Sequence, residues 1–251
     1  MPDELDDPRL NAKRELALAQ QALDEGDPQH AAVHIAEAIT YAPTMPEVHE
    51  ALARLAARTG DAIDLFPLGE QVYIGALVAR AHLLAAAGRP SEGLELLAAA
   101  TGIDRESDWA GVPWVTTPDL PQRIAPDDLA RVFMVLCSAL PNSVPDEERP
   151  ALAPYLTLAR HAVDAYPNHG MLLGAASDLA RRVGEHRLAI TWAARATREH
   201  PAKITEVWLG YAHLDAGQPL SPIHICRVRP TQEGRARRTP DQAQKEWGHH
   251  R

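Results

Sequence analysis

The stretch GMLLGAASDLARRVGEHRLAITWAARATREHP, residues 170–201, decides the fold. Small and apolar residues recur at helical spacing from Gly170 to Arg182, break at Val183-Gly184, recur from Glu185 to His200, and stop at Pro201. This predicts two helices joined by a tight turn. The unit is also an echo: Ala162-Val163-Asp164-Ala165-Tyr166-Pro167 returns 34 residues later as Ala196 through Pro201, and Gly26-Asp27 returns as Gly60-Asp61. A fixed period near 34 residues marks stacked helix-turn-helix units, which build binding surfaces rather than active sites.

Outward from this unit the same pattern recurs. Leu16 to Leu23 and Ala31 to Ile39 predict a hairpin broken at Gly26-Asp27-Pro28, with Asp27 capping the second helix and Pro28 in its first turn. Pro43 ends that helix, and Pro46-Glu47 opens another that runs to Gly60. Ala62 to Pro67 is too short for a partner helix, so this repeat is expected to be degenerate. A second hairpin follows, Gln71 to Ala87 and Ser91 to Thr101, turning at Gly88-Arg89-Pro90. Residues 102–126 then interrupt the rhythm with Trp109, Trp114 and several prolines, and predict a long ordered loop or insert. Helices are expected at Asp127 to Leu140, up to Tyr166, and from Ile204 to Ala216. The expected organisation is therefore helical repeats over 1–101, an insert over 102–126, helical repeats over 127–217, and a tail over 218–251. Helices so spaced build either a stack of true repeats or an alanine-rich bundle.

Composition narrows the function. Apolar residues make up 45% of the 251, mostly alanine and leucine, which favour helix and allow close helix approach. The formal charge of -9 argues against nucleic acid as the main partner, because phosphate binding needs a basic face. Residues 1–218 hold 18 Lys and Arg against 31 Asp and Glu, whereas residues 219–251 hold 7 against 3. The two cysteines, Cys137 and Cys226, are far apart and make no disulfide framework or metal pair. With no apolar run long enough for a membrane span and an acidic start unlike a signal peptide, the expectation is a cytoplasmic protein with no membrane partner.

With these residues in place, the chain resembles the tetratricopeptide repeat (TPR) family. That family's pattern of small residue, glycine, two alanines and closing proline falls on Ala19, Gly26, Ala31, Ala38 and Pro43 in the first unit. In the later unit it falls on Ser177, Gly184, Ala189, Ala196 and Pro201. A third unit matches in part, at Ala81, Gly88, Gly93 and Ala100, and residues 106–150 match nothing in the pattern. The resemblance implies an all-α, TPR-like right-handed superhelix, irregular in the middle. It implies a part of a longer bacterial protein whose concave face, lined by the first helix of each unit, binds a peptide or partner helix. The inward positions it implies are Glu50, Arg54, Arg58, His82, Asp178, Arg181, Trp208 and Tyr211. One subclass grips a C-terminal carboxylate with lysines and asparagines, but the corresponding first-unit positions here are Leu16 and Gln20.

Candidate chemistry is sparse. His30 and His34 have metal-ligand spacing, but only Glu37 accompanies them in sequence, and a solvated helix face is the better reading. No phosphate-binding glycine loop or nucleophile elbow occurs, so no catalytic residue, cofactor or metal is expected. Trp109 and Trp114 either plug the interrupted stack or form a partner contact. Arg54, Arg58, Arg181 and Arg182 are candidates for a basic strip facing an acidic ligand, set against arginines that are merely solvated or paired. The expected function is a non-catalytic protein-interaction scaffold; the alternative is the helical sensor or regulatory domain of a truncated multidomain regulator or signalling protein.

The end of the chain departs from all of this. After Gly217 the periodicity is lost, and Leu220 to Ile225 resembles the translation of a transposon-end sequencing adaptor, Leu-Ser-Leu-Ile-His-Ile, with proline for the second leucine. The expectation is that residues from about 219 onward are a read-through artefact on a truncated gene. A disordered basic tail for an acidic partner is the biological alternative.

Overall fold

The computed structural model describes residues 7–69 and 73–218, so the tail expected from residue 219 lies outside the described residues. Among those described, all regular structure is helical and no strand occurs. The helices are α1 (Pro8–Glu25), α2 (Pro28–Tyr41), α3 (Pro46–Arg58), α4 (Ile74–Ala86), α5 (Pro90–Ile103), α6 (Pro113–Thr116), α7 (Pro126–Ala139), α8 (Arg149–Ala165), α9 (Gly170–Arg182), α10 (His186–Glu199) and α11 (Lys203–Asp215). Short 3-10 turns occupy Ala62–Leu65 and Leu120–Arg123. None of the described helices is long and apolar enough to cross a membrane.

Local chemistry sets the boundaries. Six helices open on a proline, whose missing amide and fixed φ suit the first helical position. Pro113 and Pro126 are among them, so prolines of the predicted loop open helices rather than exclude them. The Asp27 side chain accepts from the His30 amide at 3.0 Å, capping α2 as its sequence position suggests.

Four helices end in one and the same turn. Gly26, Gly88, Gly184 and Gly217 are the described residues with positive φ, between 66° and 86°. At each, the following amide donates to a carbonyl five residues back: Asp27 to Ala22, Arg89 to Leu84, Glu185 to Ala180 and Gln218 to His213. This is the left-handed glycine stop, in which the turn satisfies carbonyls the helix leaves open. After the first three, a helix starts within two residues and packs back on the one before, giving the hairpins α1–α2, α4–α5 and α9–α10.

Gly60 does not join this set. α3 ends at Arg58 with Thr59 extended, and Asp61 makes no side-chain cap. The Gly26-Asp27 echo at Gly60-Asp61 is therefore an echo of sequence and not of structure. Where a partner helix would lie, Ala62 and Phe66 are buried, and the Arg80 guanidinium donates to the carbonyls of Ile63 (2.9 Å) and Phe66 (3.2 Å). With that helix missing, α4 packs directly on α2. Gly75 makes this possible, since a Cβ there would collide with the Ala36 carbonyl.

The region 102–126 is folded into the same core. Trp109, Val112, Val115, Leu120 and Ile124 are buried, and α8 packs over α6 and the second 3-10 turn. The Tyr166 hydroxyl lies 3.0 Å from both the Pro121 and Ile124 carbonyls and donates to that pair. Onward, α5 packs on α7, α7 on α9, and α11 on α9 and α10.

The approach of α11 to α9 depends on Gly174, where a Cβ would run into the Trp208 ring. Alanine is the better helix former by about 1 kcal/mol, whereas overpacking costs about 1–3 kcal/mol. Gly174→Ala is expected to lower stability by about 1–2 kcal/mol in the parent chain and to be neutral or stabilising in a Trp208→Leu background. Urea unfolding of the four proteins of that cycle checks this; equal effects in both backgrounds would contradict the contact.

Candidate binding face

Two clefts lie along the junction of α1 and α3. One, of about 430 Å³, is lined by Arg9 and Lys13 from α1, by Ala42, Thr44 and Met45, and by Pro46, Glu47 and Glu50 at the start of α3. The other, of about 380 Å³, is lined by Leu23, Gly26, Pro28, Arg58 and Thr59 at the opposite end. Helical spacing produces this alignment: Arg9, Lys13, Leu16, Gln20 and Asp24 follow one stripe of α1, and Glu50, Arg54 and Arg58 follow one stripe of α3. All three of the α3 residues are exposed. Arg58 reaches Asp24 at 3.4 Å, an exposed pair of the kind worth at most about 1 kcal/mol, and Gln20 also donates to Asp24. The face is thus polar, of mixed charge, and flanked by two concavities. Arg9, Lys13 and Thr44 were not singled out from the sequence, although the four-residue spacing of Arg9 and Lys13 is the signal that would have found them.

The structure does not bring the remaining predicted residues to this face. His82 is only 7% exposed, because the Trp114 indole covers it and donates to its Nδ1 at 3.0 Å. Its proton therefore sits on Nε2, which is buried without a hydrogen-bond partner. The His49 ring stands perpendicular to it at 4.7 Å, and His49 Nε2 lies 3.0 Å from the Pro43 carbonyl. Burial, helped by the nearby His49, pushes the His82 pKa down to about 3, and burial lowers that of His49 against the opposing Pro43 bond. Trp114 remains half-buried, whereas Trp109 is buried and donates to the Asp104 carbonyl at 2.9 Å. Trp109 is part of the buried core, and Trp114 pins the insert to α4.

In the C-terminal half, Asp178, Arg181 and Trp208 serve packing. Arg181 is 5% exposed, and its guanidinium bonds Asp178 (2.6 Å), Asp215 (2.7 Å) and the Asn142 carbonyl (3.2 Å). Arg182 bonds Asp178 and the carbonyls of Leu140 and Pro141. These guanidiniums hold α11 and the loop after α7 onto α9, so they do not continue a basic strip from Arg54 and Arg58. Trp208 is 8% exposed over Gly174. Of the predicted residues in this half, Tyr211 alone is exposed, with the Arg181 guanidinium 5.3 Å from its ring centre.

His30 and His34 form a hydrogen-bonded chain with a carboxylate missed in the sequence. Glu15 Oε2 lies 2.7 Å from His34 Nδ1, and His34 Nε2 lies 3.0 Å from His30 Nε2. Glu15 is on the far side of the His34 ring from His30, so the three donors do not converge. Among the described residues no group of three or more His, Cys, Asp or Glu is arranged to hold a metal ion. Cys137 is buried, and burial together with Asp178 raises its thiol pKa, making it unreactive.

No protein-family model and no curated protein sequence matches this chain. The likeness to tetratricopeptide repeats therefore rests on the residues quoted above.

His82 gives the cluster a defined pH response. Its folded pKa lies below the ordinary 6.5, so the folded state takes up fewer protons than the unfolded one below that pH. Its contribution is fully present above pH 6.5 and is lost as pH falls toward 3, at up to about 1.4 kcal/mol per pH unit. His82→Gln, which keeps an acceptor for Trp114, is expected to flatten the fall in stability between pH 6.5 and 4.5. Denaturant titrations across that range test it; an unchanged slope would contradict the buried neutral imidazole.

Proposed function

We propose that the chain is a non-catalytic protein-interaction scaffold, a TPR-like solenoid whose α1–α3 face receives an extended peptide or a partner helix. The observation that carries this reading is the alignment of Glu50, Arg54 and Arg58, all exposed, along the junction that holds both clefts. The repeated hairpins with identical glycine stops support the solenoid, and the match of Ala19, Gly26, Ala31, Ala38 and Pro43 to the family pattern supports reading α1 and α3 as first helices of successive units. Helices repeated in this way offer rigid, evenly spaced side chains, and an extended ligand reads them in series. The charges define the ligand's polarity: cationic Arg9 and Lys13 sit beside Glu47 and Glu50 at one end, and Arg58 sits at the other. A ligand of mixed charge fits this face better than a uniformly acidic one.

A peptide library displayed on phage and selected against the full chain tests the reading. Selected peptides are expected to bind at least tenfold more weakly to a Glu50→Arg, Arg54→Glu variant, with the variant's thermal midpoint unchanged. Peptides that bind parent and variant equally would place recognition elsewhere.

A further inference from the structure

The α1–α2 hairpin carries a polar chain that the α1–α3 face does not use. His30 and His34 lie one turn apart on α2, so both rings leave the same side of the helix. His34 Nδ1 lies 2.7 Å from Glu15 Oε2 on α1, and His34 Nε2 lies 3.0 Å from His30 Nε2. An ionised carboxylate only accepts, so Glu15 takes the hydrogen of His34 Nδ1 and fixes the tautomer of that ring. The free lone pair of His34 is then on Nε2, facing His30. In the metal-free protein the His30 Nε2–H donates to it.

We infer that His30 Nε2 and His34 Nε2 chelate one divalent copper, nickel or zinc ion, with Glu15 as a positioning residue behind His34. Two imidazole nitrogens held on one ion at about 2.0–2.1 Å stand about 3 Å apart when the angle at the ion is near 90°, and about 3.4 Å apart when it is tetrahedral. The separation here is 3.0 Å, so the pair takes an ion with little movement. The ring centres are 4.7 Å apart, too close for two rings set head-on across that gap, so the rings meet at an angle, as two ligands of one ion do.

His34 is already in the ligating tautomer. His30 is exposed, so its proton passes from Nε2 to Nδ1 by exchange with water, and binding needs no net loss of a proton. The Glu15 and His34 side chains are 24% and 17% exposed, which shields the bond between them. A carboxylate on the far nitrogen of a ligating histidine holds the ring in place and raises its basicity. Imidazole suits copper, nickel and zinc, whereas magnesium requires oxygen ligands. Glu15 itself points away from the ion, so water completes the coordination shell and the ion stays exchangeable. Copper binds tightest of the three.

Calorimetric titration of the full chain with nickel chloride and with copper chloride tests the proposal. Histidines elsewhere in the chain also take up metal, so the readout is the difference between variants. His30→Gln, at an exposed position, is expected to keep the parent's circular dichroism and to bind one ion fewer per chain. Glu15→Leu is expected to weaken that one site at least tenfold, and Glu15→Gln, which still accepts from His34 Nδ1, to weaken it less. Magnesium chloride is expected to give no difference between parent and His30→Gln. Equal numbers of nickel and copper ions bound with equal affinity by parent and His30→Gln overturn the site. Equal affinity in parent and Glu15→Leu overturns the role of Glu15.

Discussion

The left-handed glycine stop is the constraint on which the fold rests. Reversing an α-helix within two residues requires one residue at positive φ, which costs any side chain with a Cβ about 1–2 kcal/mol and costs glycine nothing comparable. Gly26, Gly88 and Gly184 meet that requirement, and each sends the next helix back along the one before. The hairpins then bury continuous rows of small and branched apolar residues, such as Ala31, Ile35, Ala38 and Ile39 on α2, against their partners. Small residues at the crossings let backbones approach, most closely at Gly75 against Ala36 and at Gly93 against Ala81.

Where the glycine stop is absent, the structure compensates by other means. After α3 no second helix forms. The gap is closed by Phe66, by the Arg80 guanidinium on two carbonyls, and by α4 packing on α2. Between α5 and α8 the insert supplies Trp109 and Trp114, and both indole amides find acceptors on the protein. A buried tryptophan contributes large apolar area, but a buried amide without a partner would cost much of that gain. The polar network at Arg181 closes the far end in the same way, each charge meeting an opposite charge or a carbonyl.

The helices were legible in the sequence because helical periodicity and proline or glycine punctuation are local properties. The Asp27 cap, the α1–α2 turn and the span of α9 follow from residues within one turn of each other. The site was legible only where one helix determines it: the spacing of Glu50, Arg54 and Arg58 puts them on one face of α3 whatever packs behind. His82, Arg181 and Trp208 were read as groove residues because the family pattern assigns their helix face. Burial is decided by distant partners, namely Trp114, Asp215 and Gly174, which lie more than thirty residues away in sequence. The Gly60-Asp61 echo misleads for a related reason: glycine permits the left-handed turn, but only a following helix with an apolar face makes the turn worthwhile.

Helices that pack mainly on their neighbours in sequence imply stability that is local rather than global. Native-state hydrogen exchange on a Gly26→Val variant measures this most directly, because a Cβ at Gly26 meets no neighbouring atom and a β-branched residue at φ 80° strains the backbone of the first hairpin. The account predicts that protection of the amides of α1, α2 and α3 falls while that of α9 and α10 is unchanged. An equal loss of protection in every helix would mean a single cooperative core and would contradict a stack of hairpins.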